Sequence, residues 1–323
     1  MIRALNVEVR RCLARRLTWA LIGLAMVASV AAGVVVFINA EDPDDARAAA
    51  LAQREAVIAS CADSVLRRGP FTPVPVGPDG PLVRPGQALD RAAAEADCRR
   101  FVQAPDDDGL RLVELWHPDE GDSFLLVTFV FLGIGALIGA SSMVGAEWKA
   151  GTFTTLLTWE PRRVRVAVAK LAAIGLLGVA AAVVLQALFT AALLPAILIR
   201  GSTEGADGAW ARTLLGGVGR GAALTGIGAV TGAAVAMIGR STSATLGVAF
   251  AYLAIGEAIV RSWKPKMARW LLGENSAIFL TGRELDGAPF HRPVGLAAVW
   301  LVVVTLALAA VATATFRARD ITT

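Results

Sequence analysis

Apolar residues in this chain gather into six long runs separated by charged stretches, where a soluble core would scatter them at helix or strand period. The first run, 17–38, holds about 22 residues; at about 1.5 Å rise per helical residue it covers a hydrocarbon core of about 30 Å. Five more runs follow, near 124–146, 171–199, 213–239, 244–260 and 294–316. A backbone in lipid must satisfy its own hydrogen bonds, so the pattern predicts an all-α polytopic membrane protein with six transmembrane helices.

The polar stretches have patterns of their own. In residues 1–16, Ile2, Leu5, Val9 and Leu13 share one helical face with the arginines elsewhere, which predicts an amphipathic helix lying in the cytoplasmic head-group plane. After transmembrane helix 1 (17–38), residues 39–123 form an extracytoplasmic domain. It has two Ala-rich, charged, helix-compatible stretches, Asp44 to Arg67 and Ala88 to Gln103, and the tract Gly69 to Pro78 between them reads as extended loop. Residues 124–323 carry helices 2 to 6, with an inner loop at 147–165 and an outer helical segment at 261–293.

Composition strengthens this picture: 55% hydrophobic residues and only 18% charged ones are too apolar for an ordinary soluble domain. The net charge of +4 comes from basic residues flanking the spans, so anionic lipid, not nucleic acid, is the expected counter-charge. Arg3, Arg10, Arg11, Arg15 and Arg16 against Glu8 precede the first run, and Lys149, Arg162, Arg163, Arg165 and Lys170 lie between the second and third. The positive-inside rule then places both termini in the cytoplasm of a multi-pass plasma (inner) membrane protein. A first run this long reads as a retained anchor, not a cleaved signal. Arg261, Lys264, Lys266, Arg269, Arg283 and Arg292 run against the rule. The stretch Trp263 to Leu280 therefore reads as an interfacial or re-entrant helix pair, and hydropathy alone also allows five spans.

Candidate chemistry is sparse. Cys61 and Cys98 fall one in each helical stretch of the outer domain, where disulfides persist, and are expected to pair; two unrelated buried thiols are the alternative. Cys12, inside, is expected to stay reduced. No Gly-Lys dipeptide occurs, so the lysine of a phosphate loop is missing. The two histidines, His117 and His291, lack Cys or His spacing suited to a metal, and no metal is expected. Ser141, Ser142, Thr225 and Thr231 have no base nearby in sequence, so no catalytic residue is assigned. The pairs Gly135 and Gly139, Gly217 and Gly221, Gly228 and Gly232 read as close helix packing. Arg220 and Glu257 lie well inside apolar runs and need a partner or water. They either line a translocation path, pair with each other across two spans, or snorkel to head groups. Lys170 reads as snorkelling.

The most informative stretch runs from Glu147 through Trp148 and Lys149 to Arg163. A short helix from about Gly151, stopped by Pro161, places Phe153, Leu156 and Leu157 on one face with Trp148 and Trp159 at interfacial depth. The order Glu147, Gly151-Thr152, Leu156-Leu157-Thr158, Pro161, Arg162-Arg163 and later Lys170 resembles the inner loop of type-2 permeases of ATP-binding-cassette exporters. The ending Phe316-Arg317-Ala318-Arg319-Asp320-Ile321 is similar to one common in that family. The resemblance implies a permease subunit without its own ATPase site, paired with a second permease subunit in a homodimer or heterodimer. It implies an ATP-binding-cassette ATPase partner that holds ATP and Mg, with no cofactor on this chain. Glu147, Gly151, Thr152, Phe153, Leu156, Leu157, Pro161, Arg162 and Arg163 are then the coupling element. The competing reading is a membrane-anchored sensor or assembly factor whose outer domain binds a ligand.

Overall fold

A computed structural model describes residues 2–39, 43–68, 90–102, 110–111, 124–203, 206–285 and 287–318. The tract Gly69 to Pro78, His117 and Arg319 to Ile321 lie outside the described residues. Among the described residues, six helices are long and apolar enough to cross a membrane: Thr18–Asn39, Val127–Lys149, Arg163–Arg200, Gly208–Gly239, Thr242–Trp263 and Val294–Ala318. The chain is an all-α, multi-pass membrane protein, and the five-span alternative is set aside.

The helices are α1 (Ile2–Leu13), α2 (Arg16–Asn39), α3 (Pro43–Arg68), α4 (Arg91–Phe101), α5 (Phe124–Lys149), α6 (Thr152–Trp159), α7 (Arg163–Arg200), α8 (Gly208–Gly239), α9 (Thr242–Phe250), α10 (Glu257–Trp263), α11 (Leu272–Thr281) and α12 (Val294–Ala318). A π-helical stretch, Ala251–Gly256, joins α9 to α10 within span five, and a 3₁₀ stretch, Pro265–Trp270, leads into α11. The chain divides into two compact units.

The first unit comprises residues 1–34, 113–194 and 204–323 and contains the membrane helices. Helix α8 is central: 56% of its most apolar window is buried, against 11% for spans one and five. Small residues let its neighbours approach. A Cβ on Gly232 would lie 2.5 Å from the Leu137 carbonyl oxygen of α5, and one on Gly221 would collide with the Phe129 ring. Gly135, grouped with these by sequence, meets nothing within 4 Å, so its glycine has no packing role of this kind. At one end of the bundle a core forms from Val144, Phe153, Ala167, Leu171, Met237, Ala312 and Phe316, with Cys12 of α1 beside them.

The second unit comprises residues 35–112 and 195–203. Helices α3 and α4 pack through Ile58, Ala62, Val65, Ala94 and Cys98, and Cys61 is disulfide-bonded to Cys98 across a separation of 37 residues. The expected pairing is therefore present. Leu110–Arg111 pairs in parallel with Gly201–Ser202. A core this small relies on the cross-link: the Cys61→Ser/Cys98→Ser variant should lose about 2–4 kcal/mol in this unit. Trypsin cleavage at the exposed Arg99 and Arg100, followed by mass spectrometry, should then run faster than in wild type. Equal rates would show that the helix pair holds without its disulfide.

Candidate functional site

Helix α6 begins because Gly151, at φ 65°, takes the left-handed conformation that a glycine adopts without steric cost and turns the chain sharply out of α5. The Thr152 hydroxyl donates to the Glu147 carbonyl at 3.2 Å, fastening the turn, and the helix stops at Trp159, two residues before Pro161. The expected helix is thus present, and the face that carries Phe153 and Leu157 turns into the protein. Phe153 is 2% exposed, with its ring centroid 4.7 Å from Trp148 and 5.2 Å from Phe316. Leu157 packs against the same core. The outward face is instead Thr155, Thr158 and Trp159, the last 87% exposed, with Leu156 half-buried between the two. Phe153 and Leu157 anchor the element rather than presenting it. Of the arginines that follow, Arg162 is exposed, Arg163 donates to the Arg317 carbonyl at 3.4 Å, and Arg165 pairs with Glu160 at 3.4 Å.

Beneath this loop lies a buried ion triad. Lys170 Nζ stands 2.5 Å from Glu8 Oε2 and 2.8 Å from Glu147 Oε2, and its side chain is only 3% exposed. Lys170 therefore does not snorkel. Two carboxylates reach it before any head group can, and burial makes their charge-assisted bonds strong. Glu8 also faces Arg11 at 3.6 Å. The buried side of α1 carries Leu5, Glu8, Val9 and Cys12, while Leu13 is exposed and the side chain of Ile2 lies outside the described residues. Arg15 adds a bond to the Met143 carbonyl at 3.1 Å. Burial pushes the Cys12 thiol up, which keeps it protonated and unreactive. The sequence signal for this site was the single acid of residues 1–16, spaced three and four residues from Leu5 and Cys12. In the sequence alone it stands only as an offset to five arginines.

Arg220 and Glu257 do not pair with each other. Each holds one end of α11. Glu257, 2% exposed, accepts from the Gly273 backbone N–H at 2.7 Å and from Arg261 Nη2 at 2.8 Å. Arg220 donates through Nε to the Leu280 carbonyl at 3.3 Å and through Nη2 to that of Thr281 at 3.5 Å. The acid sits at the helix N-terminus and the base at its C-terminus, the favourable sense for the helix dipole. Gly282 closes α11 at φ 75°, and a Cβ there would lie 2.6 Å from the Arg220 guanidinium, so two constraints demand glycine. Glu257 does not snorkel, since its carboxylate is buried against α11.

Several of the basic residues around α11 have partners. Arg261 also meets Glu274 at 2.6 Å, and Arg292 donates to the buried Asn275 at 3.0 Å while covering the Trp270 ring. A Glu257→Gln variant should lose about 2 kcal/mol, because one charge-assisted bond goes while the Gly273 bond survives. Thermal unfolding in detergent checks it, and a wild-type midpoint would mean that Glu257 does not cap α11 in the membrane.

Among the described residues, no group of three or more His, Cys, Asp or Glu side chains could hold a metal ion. No family model and no curated protein matches the chain.

Proposed function

We propose that this chain is the membrane-spanning permease subunit of an ATP-driven exporter and that α6 couples it to a separate ATPase, which would hold ATP and Mg. The observation that carries the reading is a short helix locked at its base and offered at its tip. Phe153 buries one side among Trp148 and Phe316, Glu147 at its root is tied to Lys170 and through it to Glu8, and Thr155, Thr158 and Trp159 face outward. A rigidly anchored helix transmits displacement, whereas a loosely attached one would absorb it. An exposed tryptophan offers the large amphipathic contact that protein interfaces favour. Transport on this reading is conformational, with no chemistry on the substrate. Both termini and α6 would be cytoplasmic in a plasma membrane, and a second permease subunit, identical or not, would complete the path.

The tagged chain should co-purify a soluble ATPase from its native membrane, and Trp159→Ala should reduce that recovery about tenfold or more, the loss of one interface hot spot of about 2 kcal/mol. Its thermal unfolding midpoint should stay unchanged. ATPase recovery equal to wild type would remove Trp159 from the docking face.

One observation favours a second reading, a membrane-anchored sensor or assembly factor: α3 and α4 form a compact disulfide-tied unit of their own. No ATPase recovered with or without a non-hydrolysable ATP analogue would turn attention to that unit.

A further inference from the structure

Beside α6 lies a cleft of about 790 Å³ whose walls are the last residues of α5, the first turn of α6 and the turn from α8 to α9. Two of its lining side chains are cationic, Lys149 and Arg240, and none is acidic; the nearby Glu147 is already bound to Lys170. Arg240 lies over the Trp148 ring at 4.7 Å, and the Trp148 indole N–H is buried without a hydrogen-bond partner. Ser241, Thr242 and Ser243 bring hydroxyls to the same wall. Ser241 Oγ accepts from the Ala244 N–H and Thr242 Oγ1 donates to the Ser141 carbonyl, while the exposed Ser243 is open to a ligand.

The depth of the cleft identifies its ligand. Three spans end in its walls: span two at Lys149, span four at Gly239 and span five at Thr242. That level is where a bilayer passes from hydrocarbon to head groups, and a tryptophan there with two cations is the side-chain chemistry of the interface. Basic pockets between membrane helices bind anionic head groups. We infer that the cleft of Trp148, Lys149, Arg240 and Ser243 binds the phosphate of an anionic phospholipid, which bridges the root of α6 to the turn between α8 and α9. The lysine and arginine supply the counter-charge, and the Ser243 hydroxyl is the neutral donor. The inference rests on the placement of the spans in a bilayer and not on the exporter reading.

The test is native mass spectrometry of the full chain after exchange into mixed micelles containing phosphatidylglycerol or phosphatidylcholine, with inorganic phosphate as a competitor. Lys149→Gln/Arg240→Asn is the informative variant, since asparagine tolerates the left-handed backbone of Arg240, at φ 53°. Wild type should retain phosphatidylglycerol in preference to phosphatidylcholine, and the variant should bind it about thirtyfold more weakly, as removal of two basic contacts predicts. Arg10→Gln/Arg162→Gln, equal in charge but away from the cleft, should bind as wild type does. Equal weakening in that control would reduce the effect to bulk attraction and overturn the site. Displacement of phosphatidylglycerol by millimolar inorganic phosphate would assign the cleft to a free anion instead. Loss of a co-purifying ATPase in the Lys149 and Arg240 variant, with lipid retention unchanged, would assign it to a protein partner.

Discussion

Replacing Lys170 by methionine is expected to destabilise the membrane unit by about 3–5 kcal/mol, the cost of leaving buried carboxylates without their counter-charge. Glu8 and Glu147 have side chains only 4% and 16% exposed, so water cannot substitute for the lost ammonium. Arg11 lies 3.6 Å from Glu8 and is partly exposed, so it offers only partial compensation. The damage should begin at α1, which Glu8 anchors as a buried polar group. Trypsin should cut at Arg10 and Arg11 sooner than in wild type, and the midpoint of thermal unfolding in detergent should fall. The triple variant Lys170→Met/Glu8→Leu/Glu147→Gln removes the stranded charges together and should recover most of the loss, because a buried ion pair replaced by neutral groups of similar size is often no less stable. A single Lys170→Met variant with wild-type proteolysis and midpoint would refute the buried triad. Failure of the triple variant to recover would show that packing around α1, not charge, was lost.

The second large effect is expected at Phe153. Its ring is 2% exposed and packs against Trp148 and Phe316, with Lys170 Nζ 5.6 Å from its centroid, so Phe153→Ala should cost about 3–5 kcal/mol. Phe153→Leu keeps most of the apolar volume and should cost about 1 kcal/mol. Comparison with Trp159→Ala separates folding from docking. Phe153→Ala should lower the unfolding midpoint and weaken any ATPase recovery together, whereas Trp159→Ala should affect recovery alone. Phe153→Ala with an unchanged midpoint and lost recovery would mean that Phe153 itself contacts the partner, which its burial in this fold opposes.

The sequence by itself determined the fold class, because lipid demands long apolar helices and nothing else in the chain produces runs such as 17–38 or 294–316. It also located α6 through Gly151 and Pro161, since those residues constrain backbone dihedrals whatever surrounds them, and it paired Cys61 with Cys98 from their placement alone. Only the tertiary structure decided where side chains point and which charges meet. Lys170 and Glu8 are 162 residues apart, and no local pattern reports a bond across that separation. Arg220 and Glu257 were legible as charges needing partners, and Glu257 has one four residues on in Arg261, but the contacts that tie both residues to α11 are to backbone groups at its two ends, which carry no residue signature. Phe153 was visible as apolar, but a short helix between a membrane and water has two apolar destinations. The rings of Trp148 and Phe316, brought together by α5 and α12, chose the inner one. Local dihedral preference and hydropathy act through neighbours in sequence, whereas burial and ion pairing act through neighbours in space, and the candidate site is built from the second kind.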